Sequence, residues 1–204
     1  MTRPIALALA VFAAPVVHAA CPVPGDLQSG IYVQHDDGSV TFFQASGDST
    51  HTEYVTFADD PIAYRYNVSH IVFLTEFVDH ENGSVLPDTR GTLAYTSDPA
   101  AALPLEPGKV WQSTVTTTYA DGSPPEEERY TLTLGDPVDV VIGACSYQGV
   151  TLSHLYLADG YRYLLTQNLI PELGIAIETG YRDFEAPAEV YRPVAISTDP
   201  IQPG

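Results

Sequence analysis

Residues 110–134 read VWQSTVTTTYADGSPPEEERYTLTL. Trp111, Ser113, Val115, Thr117 and Tyr119 fall on one side of an extended chain, and Gln112, Thr114, Thr116 and Thr118 fall on the other. Tyr130, Leu132 and Leu134 repeat the alternation against Thr131 and Thr133. Successive strand residues point to opposite faces, so each run has one apolar side and one wet side, as in an antiparallel sheet packed on one face. Between the runs, Asp121 and Gly122 suit the left-handed backbone of a tight reversal. The stretch predicts strands over 110–120 and 129–134.

The same grammar extends in both directions. Runs rich in Val, Ile, Thr, Tyr and Phe predict further strands over 30–35, 39–44, 52–57, 62–66, 70–79, 91–96, 138–142, 145–157, 161–167, 174–179 and 189–196. Asp37-Gly38, Asn82-Gly83 and Asp159-Gly160 supply the turns between them. No convincing amphipathic helix is found; residues 98–105 allow one short helical turn before Pro104. The fold class is therefore all-β: an antiparallel meander forming a large curved sheet, a sandwich or a half-barrel, with very little helix. Residues 98–108, DPAAALPLEPG, form the best internal seam and read as a crossover inside a single domain over 20–204. The end, 199–204, reads as a frayed tail.

The chain has 204 residues, 45% of them hydrophobic, and a formal charge of -18 at pH 7. That apolar content supports a packed core and excludes a disordered chain. The acid excess argues against nucleic acid and anionic membrane surfaces as partners. Residues 1–19 read as an export signal, with Arg3, an apolar run over 5–17, and Val17, His18 and Ala19 before the cut. That run is too short for a transmembrane helix, which needs roughly 20 residues. The protein is expected to be periplasmic or secreted, with no transmembrane segment.

Cys21 follows the signal immediately and has two readings that exclude each other. One is a lipid anchor, although His18 stands where that pattern wants an aliphatic residue. The other pairs Cys21 with Cys145, the remaining cysteine of the 2 in the chain, in an oxidising compartment. The disulfide is the favoured reading, and chain entropy values so long a cross-link at roughly 4–5 kcal/mol.

Catalytic and metal motifs are missing. No G-x-S-x-G elbow, H-E-x-x-H, P-loop or G-x-G-x-x-G occurs. His35-Asp36-Asp37 and Asp79-His80-Glu81 bring ligand-capable groups together beside turns and read as solvated turn residues, not metal sites. No loop has calcium-ligand spacing. Glu126-Glu127-Glu128 reads as a charged loop or exposed strand end. No catalytic residue, metal ligand or cofactor is assigned.

Aromatic residues are the remaining signal, with 13 Tyr and 7 Phe. The run HIVFLTEFV at 70–78 is apolar on both faces, so it is either central in a core or lines something. Phe73, Phe77, Trp111 and Tyr119 are the candidates for a ligand groove or core. Arg162 and Arg182 are placed at its rim, where they would meet an anionic head group. Tyr161-Arg162-Tyr163, Tyr181-Arg182 and Tyr191-Arg192 put ring and cation on opposite faces, an arrangement that reads as core plus solvated rim.

The second half carries a recognisable pattern: Gly108-x-x-Trp111, Asp121-Gly122, Tyr130, Val138-x-Val140, Gly143-x-Cys145-x-Tyr147 and Pro171-Glu172-Leu173-Gly174. Over roughly 105–197 it resembles exported β-rich proteins of Gram-negative bacteria and is loosely similar to the half-barrels of periplasmic lipoprotein carriers. The resemblance implies structural roles: Trp111 in the core, Gly143 and Gly174 at turns or bulges, Cys145 in a bridge. The carriers imply a concave sheet covered by helices, whereas this sequence shows almost none. The expected function is an exported non-catalytic binding or interaction module, holding an apolar or amphipathic ligand, or a protein partner, against a curved sheet. The rivals are a periplasmic hydrolase with a spatially assembled site and a structural partner protein.

Overall fold

A computed structural model describes residues 20–204. The predicted export signal at 1–19 lies outside the described residues. The chain forms β1 (Ile31–His35), β2 (Val40–Gly47), β3 (Thr50–Thr56), β4 (Ile62–Ser69), β5 (Phe73–Glu81), β6 (Ser84–Val85) and β7 (Gly91–Tyr95). It continues with β8 (Val110–Tyr119), β9 (Glu126–Ile142), β10 (Cys145–Ala158), β11 (Tyr161–Ile170), β12 (Ile175–Asp183), β13 (Glu189–Val190) and β14 (Pro193–Ser197). All belong to one antiparallel sheet in the order β13-β12-β11-β10-β9-β8-β7-β5-β4-β3-β2-β1-β14, with β6 appended to β5. The curved sheet is not closed into a barrel. Three short 3-10 turns are the helical content of the described residues, and none of their helices is long and apolar enough to cross a membrane.

The glycines of the expected turns have positive φ: 84° at Gly38, 80° at Gly83, 85° at Gly122 and 96° at Gly160. The alternation in β8 holds: Trp111, Ser113, Val115 and Thr117 are buried, while Gln112 and Thr118 are exposed. Tyr130, Leu132 and Leu134 are buried in the same way on β9.

Residues 129–134 and 138–142 are one strand, not two. Leu134 pairs with Leu152 and Pro137 with Val150, so β9 carries an extra residue at this point. Pro137 lacks a backbone donor, and a bulge is where a strand tolerates that. The bulge also exchanges the buried face. Leu152 and Val150 on β10 join a cluster with Phe73, Trp111, Tyr130 and Leu132. Tyr147 and Cys145, of opposite parity, join a second cluster with Ile31, Val33, Phe43 and Ile196. Strand β12 is shared likewise, Ala176 going to the first and Ile175 and Ile177 to the second. The sheet is thus packed on both faces where β10 to β12 run together.

Three expectations are corrected. Residues 70–72 are a turn, with His70 at φ 49° and Ile71 at φ 75°, and the strand starts at Phe73. The chain has to reverse here because Ser69 pairs with Phe73. Residues 189–196 are not one strand. Glu189 and Val190 pair with β12 at one edge of the sheet, whereas 193–197 pair with β1 at the other. The handover is fixed by Tyr191 N–H donating to Thr179 O (3.0 Å) and Arg192 N–H donating to Asp36 Oδ1 (3.0 Å). The tail is docked, since Gly204 N–H donates to Gly38 O at 3.1 Å.

The seam at 98–108 packs inward. Ala102 is fully buried in the first cluster, and Gly108 N–H donates to Leu134 O at 2.8 Å. Cys21 and Cys145 form a disulfide with Cα atoms 5.5 Å apart. The sulfur is therefore not free to carry a lipid thioether, which removes the anchor reading. Tyr147 Oη donates to Pro22 O (3.2 Å) and reinforces the attachment.

Candidate functional site

The curvature brings the inner faces of β2 to β4 opposite those of β10 to β12, and a cavity of about 400 Å³ lies between them. Strand register assembles each wall. Across β2, β3 and β4, Phe43 pairs with Glu53 and Glu53 with Tyr66, while Thr41 pairs with Val55. Across β10, β11 and β12, His154 pairs with Leu165, Tyr156 with Tyr163 and Gln167 with Glu178. These residues line the cavity, with Ile71, Val72 and Leu74 at one side and Tyr191 at another. Ile71 is β-branched and sits in left-handed backbone, a conformation that costs about 1–3 kcal/mol and collects at functional sites.

A bulge decides what faces inward on β12. Thr166 pairs with Gly180 but Gln167 with Glu178, so Thr179 is the extra residue. Glu178 and Tyr181 therefore both line the cavity despite their opposite parity. A second cavity of about 440 Å³ adjoins the first and shares Thr41, Val55, Tyr66, Glu178 and Tyr191 with it. It adds His35, Asp37 and Glu189.

The site is acidic and aromatic. Burial pushes the Glu178 carboxyl up to about 7, and the negative charges of Glu53, Glu189 and Asp37 push in the same direction. Glu53 accepts a hydrogen bond from His51 Nε2 at 2.8 Å, and His51 is buried. Burial, together with Glu178 and Glu53, also raises the Tyr66 phenol. Tyr156 and Tyr163 stack with centroids 4.5 Å apart, and Tyr163 continues to Tyr181 at 5.8 Å. Among the described residues, no arginine or lysine lines either cavity.

His154 is the most unusual group. It is 2% exposed, and its Nδ1 lies 2.7 Å from Tyr130 Oη. That phenol has no other partner among the described residues, so it donates to Nδ1 and leaves the proton of the neutral ring on Nε2. Nε2 is buried without a partner. Burial pushes this histidine down to about 4; Gln167, its diagonal neighbour on β11, opposes the push but lies outside hydrogen-bonding geometry to Nε2.

None of the residues expected in a groove or core, or at its rim, lines either cavity, and the core alternative holds for Phe73 and Trp111. Phe73 and Trp111 are core, with centroids 5.0 Å apart. Phe77 and Tyr119 pair at 6.3 Å and line neither cavity. Arg162 and Arg182 are exposed and both lie over the Phe184 ring, at 4.4 and 4.9 Å, away from the cavity walls. Their sequence neighbours Tyr163 and Tyr181 are the inward halves of those dipeptides. His35 is buried, unlike a solvated turn group, and burial lowers its pKa. Glu126 and Glu127 are exposed at the start of β9, as expected of a strand end, whereas Glu128 is buried and accepts from Tyr161 Oη at 2.9 Å. Among the described residues, no group of three or more His, Cys, Asp or Glu side chains is placed to hold a metal ion.

No protein-family model, curated protein or solved structure matches this chain. Glu53, Glu178 and His154 were not distinguishable in the sequence from the other acids and histidines. The Tyr-Arg pairs read as core and rim place Tyr163, Tyr181 and Tyr191 on the cavity walls, whereas Tyr161, of the same parity as Tyr163, is exposed.

Proposed function

We propose that the protein is an exported, non-catalytic binding module that holds an apolar or amphipathic small molecule inside its curved sheet. The observation that carries this reading is the unpartnered, buried His154 Nε2 on the wall of an aromatic-lined cavity. A buried donor left unmade costs about 1–3 kcal/mol, and an acceptor atom on an occupant removes that penalty. A cavity of about 400 Å³ falls within the range of small-molecule sites, and few polar groups among many aromatic and aliphatic ones is their usual composition. The disulfide supports an oxidising compartment, and the export signal at 1–19 gives the route.

Native mass spectrometry of detergent-free protein from its own periplasm tests this. A bound species that leaves on collisional activation is expected; a bare chain, with no small-molecule extract displacing it, speaks against the reading. A hydrolase is the second reading, and Glu178 favours it because a carboxyl near neutrality suits general acid chemistry. Turnover of chromogenic glycosides or esters, abolished by Glu178→Gln, would put that reading first.

A further inference from the structure

The cavity walls have a one-sided charge. Glu53 and Glu178 line the main cavity, and Asp37 and Glu189 line its extension with Glu178. The carboxylates stand among tyrosines: Glu53 pairs directly with Tyr66 across β3 and β4, and Tyr181 and Tyr191 occupy the same walls. Resting on the binding reading above, we propose that the occupant is a cationic amphiphile. It would bear an apolar chain or ring system, an oxygen or nitrogen acceptor for His154 Nε2–H, and a protonated or quaternary amine, the charge seated between Glu53 and Glu178 and against the rings of Tyr66, Tyr181 and Tyr191.

A cation in a low-dielectric site gains from carboxylates that would repel a carboxylate, sulfate or phosphate head group. Tyrosine faces attract quaternary and protonated amines through the ring quadrupole, the arrangement by which aromatic cages hold such ligands. The whole chain, at -18, sets a negative field that disfavours anions before they reach the site. The arginines that would have welcomed an anion lie on Phe184 instead. A bare metal cation is a poorer match, because no three ligating side chains converge among the described residues. The acids alone would not make a site. The buried His154 Nε2 without a partner, on the opposite wall from Glu53, is the independent sign that the same space receives a ligand.

The test is isothermal titration calorimetry on the disulfide-intact protein at pH 8, with octyltrimethylammonium, 1-octanol and octyl sulfate, all below micelle formation. Octyltrimethylammonium is expected to bind about tenfold or more tighter than 1-octanol, and octyl sulfate more weakly than either. The double variant Glu53→Gln, Glu178→Gln should bring the ammonium down to the level of 1-octanol measured on the same variant, with a native far-ultraviolet spectrum and a cooperative melt showing that it is folded. Octyl sulfate or 1-octanol binding as tightly as the ammonium would overturn the charge assignment while the binding module stands. A double variant that keeps the full preference for the ammonium would overturn it equally. Binding of none of the probes would remove both.

Discussion

Glu178→Gln should stabilise the protein at pH 8 and leave it nearly unchanged at pH 4.5. The Glu178 carboxyl is raised from 4.5 to about 7 by burial and by Glu53, Glu189 and Asp37. The folded chain holds this proton more tightly than the unfolded chain, so stability is full below about 4.5, declines as pH rises toward about 7, and stays low above it. Each pKa unit corresponds to about 1.4 kcal/mol, which makes the burden of the ionised carboxylate about 3 kcal/mol at pH 8. Glutamine keeps the shape and never ionises. For a domain of this size about 3 kcal/mol is worth roughly 6–12 °C in Tm. His154 contributes a slope of the opposite sign: lowered to about 4, it takes stability away as pH falls from 6.5. The two slopes offset each other in the wild type, so the informative quantity is the Tm difference between variant and wild type at each pH. Thermal unfolding followed by circular dichroism at pH 4.5, 6 and 8 measures it. A difference that is the same at all three values would refute the assignment of Glu178 as a buried acid.

Other outcomes follow from the same geometry. Reduction of Cys21–Cys145, or the Cys21→Ala, Cys145→Ala variant, should lower stability by up to about 5 kcal/mol for a separation of 124 residues, read as a fall in the denaturation midpoint with an intact far-ultraviolet spectrum. Tyr130→Phe should cost about 1–3 kcal/mol by leaving His154 Nδ1 buried and unpaired, and Tyr130→Phe with His154→Leu should cost less than the sum of the single changes in chemical denaturation. Octyltrimethylammonium affinity should rise about 10- to 30-fold from pH 5.5 to 8.5, because the cation favours ionised Glu178. The groups facing Glu178 are Glu53, Tyr66, Tyr181, Asp37, Glu189 and Tyr191. Titration calorimetry at several pH values would show a flat profile if Glu178 were not part of the site.

The strands and turns were legible because each rests on a local rule. Alternation in 110–120 and 129–134 reports a sheet with one buried face, and the Asp-Gly and Asn-Gly pairs report positive φ whatever the rest of the chain does. Cysteine count and the expected oxidising compartment pointed to the disulfide. What escaped was everything set by register. The bulges at Pro137 and Thr179 exchange inner and outer faces, and no local period announces them. The turn at His70 and Ile71 escaped because a β-branched residue such as Ile71 is an outlier in left-handed backbone and its apolar neighbours read as strand. The site suffered most: Glu53 and Glu178 belong to opposite arms of the sheet, and only the folded curvature makes them neighbours. Arg162 and Arg182 face outward, whereas Tyr163 and Tyr181 beside them carry the inward face.

Residues 189–197 run from one rim of the sheet to the other with Tyr191 and Arg192 between. One short piece of chain thereby covers β1 at one rim and Gly180 and Tyr181 of β12 at the other. The two rims share a fate: if this piece peels away, both lose their cover in the same event, and Tyr191 leaves the cavity wall with it. Hydrogen exchange should find the amides of β1 and β12 that face it opening together, although they belong to opposite ends of the strand order.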